Sequence, residues 1–147
     1  MKKVCCIFFI CLVILSGLSI PTFAVSIGNC TEKKLLPLKI ATNAMFDNVV
    51  NSKEERWDCG QLLDFISYSD LLSEFYMTKC KFKEVDQYRV KKCVFQSALI
   101  KSMCYDCTDT KFVDLELYFL KKATDILENT MKFYEENQKM FNLISKL

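Results

Sequence analysis

Histidine is absent from all 147 residues, which removes every mechanism that needs an imidazole base, acid or metal ligand. A serine nucleophile would have no imidazole to activate it. Glycine occurs three times and proline twice. Gly17, Gly28 and Gly60 are too few and too scattered to build a phosphate-cradling loop. Alternating apolar and polar runs bounded by turn residues are missing too, so no strand is expected. A formal net charge of only +2 argues against a basic nucleic-acid arm. What is present is apolar: 51% hydrophobic and 13% aromatic residues fit one compact domain and exclude a disordered or collagen-like chain.

The first segment reads as an address. Lys2 and Lys3 precede an apolar run from Val4 to Leu18, Pro21 breaks it, and Thr22-Phe23-Ala24 offers small residues for a signal peptidase. Residues 1–24 are therefore expected to be a secretory signal peptide that is removed, leaving 25–147 as a single helical, cysteine-rich domain. A membrane anchor is the competing reading. The run to Ile20 is at the short limit for a bilayer span, Cys5, Cys6, Ser16 and Gly17 weaken it, and no second apolar span follows. Cleavage also removes two of the 20 basic residues and none of the 18 acidic ones. The remaining chain is neutral, with no pull toward phosphate backbones or anionic lipid.

Cys5, Cys6 and Cys11 leave with the signal. Cys30, Cys59, Cys80, Cys93, Cys104 and Cys107 remain, an even set that reads as a disulfide framework in an oxidising compartment. Cys104-Tyr-Asp-Cys107 has half of a zinc-ribbon spacing, but no second close pair and no His complete a metal site. No βαβ pattern surrounds it, as a thioredoxin-like redox site requires. No cofactor or metal is expected. Asn29-Cys30-Thr31 is the one match to the N-glycosylation pattern, which makes Asn29 a candidate acceptor.

Four helical stretches follow. Leu35, Leu38, Ala41, Met45 and Val49 line one face of the first, with Pro37 placing its start near Leu36 and its end near Asn51-Ser52. Asp58 is the expected N-cap of the second, which carries apolar residues from Leu62 to Tyr76. Ser67-Tyr68-Ser69-Asp70 offers a break that would divide it, with Ser69 or Asp70 capping the second half. The third runs from Glu84 to Met103. Its second half is apolar on more than one side, which puts it deepest in the core. The fourth runs from Thr110 to the C-terminus with Phe112, Leu115, Phe119, Ala123, Ile126, Thr130, Phe133, Met140 and Ile144 in a three-four rhythm. Thr108 or Thr110 is placed to cap it, and at 1.5 Å per residue it reaches roughly 50 Å, more than its neighbours can cover. Short loops favour antiparallel neighbours. The expected fold is all-α, a small disulfide-stabilised antiparallel bundle of about four helices. Bridged Cα atoms lie within about 7 Å, which favours Cys30–Cys80, and Cys59 with Cys104 or Cys107, and leaves Cys93 mid-helix without a mate.

Cys104-Tyr-Asp-Cys107 with Tyr118-Phe119-Leu120-Lys121 resembles the start of the last helix of common-gamma-chain cytokines, and Cys93-Val-Phe-Gln-Ser-Ala-Leu-Ile-Lys101 is similar to a segment before it. The likeness covers about a third of the chain, which lacks the long crossover loops of those bundles. Insect odorant carriers are also secreted six-cysteine helical proteins, but their second and third cysteines have three residues between them, a spacing absent here. Neither family is assigned.

Carboxylate neighbours such as Glu54-Glu55 and Glu135-Glu136 do not face one another on a helix, and nothing in the spacing converges them for acid–base work. The chain is expected not to be an enzyme. The reading is a secreted, extracellular interaction protein, a signal or effector that binds a protein partner through a helical face. Its alternative is a carrier of a lipid or other small apolar molecule between its helices. No nucleic acid and no membrane span are expected. The aromatic load packs a core before it does anything else. Trp57, at the edge of a polar loop, is the candidate contact, with capping of the bundle end as its structural role.

Overall fold

The computed structural model describes residues 31–52, 56–104 and 110–144, with side chains as far as 138. These form four helices: α1 (Glu32–Asn51), α2 (Cys59–Thr78), α3 (Phe82–Met103) and α4 (Thr110–Ile144). Among the described residues there is no strand. The fold is all-α, as expected. The proposed signal segment, Asn29, Cys30, Cys107 and Thr108 lie outside the described residues.

α1 starts four residues before the proline suggests. Thr31 accepts the first backbone bonds, from Lys34 N–H at 2.9 Å and Leu35 N–H at 3.4 Å, and Pro37 sits inside the helix. The missing N–H of a proline removes one rung of the ladder. What holds the early turn is Glu32, whose carboxylate accepts from the Tyr76 hydroxyl at 3.3 Å and Lys81 Nζ at 3.4 Å. Along the buried face the residues are Leu35, Thr42 and Met45. Ala41, expected inward, is exposed, because Thr42 turns in and satisfies its hydroxyl on the Leu38 carbonyl at 2.8 Å.

Asp58 caps α2 as expected, accepting from Gln61 N–H at 2.7 Å. The serine-rich break does not divide the helix. Ser67 and Ser69 donate back to the Leu63 and Phe65 carbonyls at 3.0 and 2.8 Å, so each hydroxyl is satisfied within the helix and Ser69 is buried. That device lets a polar residue sit mid-helix without competing for the backbone.

A turn of three residues, Lys79 to Lys81, joins α2 to α3. Cys80 lies there at φ 53°, a left-handed conformation that glycine adopts freely and that costs another residue ~1 kcal/mol. The two helices then run antiparallel, as successive pairings show: Tyr76 stacks on Tyr88 at 5.7 Å, Lys92 binds Asp70 at 2.7 Å, and Phe65 meets Phe95 at 5.7 Å. α3 and α4 are antiparallel by the same test, with Thr130 bonded to Asp86 at 2.7 Å and Cys93 packed beside Ala123. α3 is the spine. It packs extensively on α2 along one side and α4 along another, while α1 makes fewer contacts with α2 and α3. The expectation that α3 lies deepest is met: Cys93, Phe95, Ala98, Leu99 and Ile100 are all buried.

The main core gathers Met45, Leu62, Phe95, Ala98 and Leu99, with Phe46, Trp57, Phe65 and Ile66 against it. Trp57 is half-buried there and its backbone N–H donates to Ser102 at 2.8 Å, so the ring closes one end of the bundle. A smaller cluster of Val90, Cys93 and Ala123 joins α3 to α4.

Candidate functional site

Two sets of side chains on α4 follow a three-four spacing. The first is the seam read from the sequence, and it faces α3 as far as Thr130: Phe119 and Ala123 are buried, and Phe112, Leu115 and Ile126 are half-buried. Phe133 departs from it and is exposed, and the side chains of Met140 and Ile144 lie outside the described residues.

The second set is a stripe of Val113, Leu117, Leu120, Leu127, Met131 and Tyr134, with Thr124 completing the rhythm. It lies about 100° round the helix from the seam. These apolar side chains stay in water, from 39% exposed at Leu120 to 63% at Met131. Single exposed leucines are ordinary, whereas a contiguous apolar band of this length marks an interaction surface. The sequence reading missed it because the seam already accounted for the helix. Its sequence signal is the same three-four spacing begun one residue later, at Val113, which shows an apolar face without showing that the face stays uncovered.

Leu127 also forms part of a groove of about 440 Å³ where α1 and α4 flank α3. Its floor is Phe46, Tyr88, Val90 and Leu127, and its walls carry Lys39, Lys91, Asp47 and Glu84. Lys91 Nζ lies 4.0 Å from the Phe46 ring centroid. Burial pulls the Lys91 pKa down and the Asp47 charge opposes that pull. Lys39 Nζ donates to the Tyr76 hydroxyl at 3.2 Å, and that bond holds its pKa up. Lys39, Tyr76, Glu32 and Lys81 thus form one polar chain that ties α1 to the α2–α3 turn. Lys81 and the other contacts keep the Glu32 carboxyl below its usual range.

Tyr88 lies buried beside this chain. Burial, followed by the charges of Tyr76 and Glu84, pushes its pKa up to about 12. Because the folded value exceeds the unfolded one near 10, Tyr88 contributes stability that is whole below pH 10 and is lost as pH rises toward 12. The difference amounts to at most ~2.7 kcal/mol. Lys91 slopes the other way. Tyr88→Phe should unfold at the same urea midpoint as the wild type at pH 8 and at a clearly higher one at pH 11.5. Equal midpoints at pH 11.5 would show that Tyr88 ionises as freely folded as unfolded.

The cysteines divide by place. Cys59 is half-buried, Cys80 exposed and Cys93 buried, and all three carry free thiols. Cys104 is disulfide-bonded, and with Cys59 free the expected pairing of Cys59 with Cys104 is not made. Burial pushes the Cys59 and Cys93 thiols up, with the Asp58 charge adding to the first, so both are poor nucleophiles. Among the described residues no group of three or more His, Cys, Asp or Glu is placed to hold a metal ion. Among them, too, no helix is long and apolar enough to cross a membrane.

Compared with known proteins, the chain matches no family model, no curated protein and no solved structure. The functional reading therefore rests on the surface of α4 and on the groove beside it.

Proposed function

We propose that this is a secreted protein that acts by binding, not catalysis, and that it docks a protein partner on the apolar stripe of α4. The observation that carries the reading is the stripe itself, six large apolar side chains left in water along a helix that already has a separate packing face. Export is supported by the basic start, apolar run and small-residue cleavage motif of residues 1–24. An oxidising compartment would favour pairing among the cysteines of the exported chain, and Asn29 in Asn29-Cys30-Thr31 is its candidate glycan acceptor.

The carrier reading retains one observation, the groove, whose volume suits a small ligand. Its charged walls and open side favour a polar or amphipathic occupant over a lipid tail. Fluorescent-lipid displacement separates the two readings, because saturable micromolar displacement would favour the carrier and defeat docking as the main function.

The stripe is tested by Leu127→Asp. Since Leu127 is 48% exposed, the thermal midpoint should move by less than about 2 °C, as for a surface change within ~0.5 kcal/mol. Partner binding should fall at least tenfold. A large loss of stability would show that Leu127 belongs to the core, and the docking reading would fail.

A further inference from the structure

We infer that the partner on the α4 stripe is a second copy of this chain, its α4 lying antiparallel across a two-fold axis at Thr124. The inference rests on the docking reading above and names its occupant.

The pattern is self-complementary. Antiparallel pairing about Thr124 sets Leu127 against the other copy's Leu120, Met131 against Leu117, and Tyr134 against Val113. Leucine meets leucine, methionine meets leucine and tyrosine meets valine, so every level of the seam is apolar on both sides. Thr124, the smallest residue of the stripe, falls where the helices cross. Its hydroxyl already donates to the Leu120 carbonyl at 3.1 Å, so a dry seam would strand no polar group there.

Charge points the same way. On the outer flank of the stripe, Lys121 and Glu128 are both exposed. The antiparallel arrangement places each against the other on the facing copy, giving two opposite-charge pairs at the centre. At the ends Asp114 and Glu135 meet as like charges, so the attraction of the pairing lies at its centre. The inner flank cannot serve a parallel pairing equally well. It carries Ala123, which is buried, and Thr130, which is bonded to Asp86, so a parallel pair would offer Lys121 only the half-exposed Glu116 and leave Glu128 without a cation.

The area suffices. Six side chains about half exposed leave roughly 500 Å² per copy, so pairing would bury on the order of 1,000 Å² in all, the level at which specific interfaces begin. A two-fold contact is closed, so it stops at the dimer.

Sedimentation equilibrium of the purified full chain tests the pairing. A dimer with a micromolar dissociation constant is expected. Lys121→Glu and Glu128→Lys should each weaken it about tenfold, and the double variant should restore it, because the reversed charges again face each other. Thermal melts confirm that each variant is folded, since both positions are exposed. A wild-type chain that stays monomeric at 100 µM, or a double variant that fails to restore pairing, overturns the inference. A photo-crosslinking residue at position 127 of the otherwise unchanged chain distinguishes this failure from that of the docking reading. In the native extracellular fluid, an adduct of twice the chain mass supports self-pairing. Adducts only of other masses overturn self-pairing and leave docking standing, and no adduct at all defeats both.

Discussion

Phe95→Ala should lower stability by about 4 kcal/mol and the thermal midpoint by about 15 °C. The phenylalanine is fully buried at the middle of α3. Its ring meets Phe46 of α1 edge-on at 6.3 Å and Phe65 of α2 tilted at 5.7 Å. Truncation therefore empties space shared by three helices at once, and their backbones cannot close on it together. Buried aromatic truncations of this kind cost about 3–5 kcal/mol, transfer and cavity combined. Urea unfolding followed by far-ultraviolet circular dichroism reads the change. Leu36→Ala, on the exposed side of α1, should change stability by less than ~0.5 kcal/mol in the same assay. A Phe95→Ala loss below about 1 kcal/mol would mean that the three helices do not converge on this ring.

Cys80→Gly should raise the stability of the reduced protein by about 1 kcal/mol. Cys80 is an exposed free thiol at φ 53°, a left-handed position that costs a residue with a Cβ about 1 kcal/mol and that glycine adopts freely. Cys80→Val should lower stability instead, because a branched side chain is crowded further in that conformation. Urea unfolding under reducing conditions reads both changes. A Cys80→Gly variant less stable than the wild type would show that the cysteine side chain makes contacts that outweigh its backbone strain.

The helices were legible because their signals are local. Asp58 before an apolar run, the breaker-free stretch after Thr110, and the doubled apolar faces of α3 each follow from side-chain spacing alone. Pro37 and the Ser67–Asp70 run misled for one reason. Their local preferences are overridden by partners far along the chain or one turn back: Glu32 held by Tyr76 and Lys81, and the two serines bonded to carbonyls four residues earlier. Thr42 shows the same effect, a polar residue buried because its helix satisfies it. The α4 stripe escaped notice because periodicity reports that a face is apolar, and cannot report that another helix has failed to cover it. The groove is a tertiary object. Lys39, Lys91 and Leu127 stand on three helices and no spacing connects them.

The turn of three residues between α2 and α3 also sets how fast the chain can reach its native state. It makes the heaviest packing in the molecule short-range along the chain, and helical topologies of that kind reach the native state in microseconds to milliseconds. Thiol oxidation takes about seconds to hours. Folding on that scale outpaces thiol oxidation, so the native burial of each cysteine decides which thiols an oxidant can reach. Cys93, sealed between Val90 and Ala123, is withdrawn from mispairing by the speed of collapse alone.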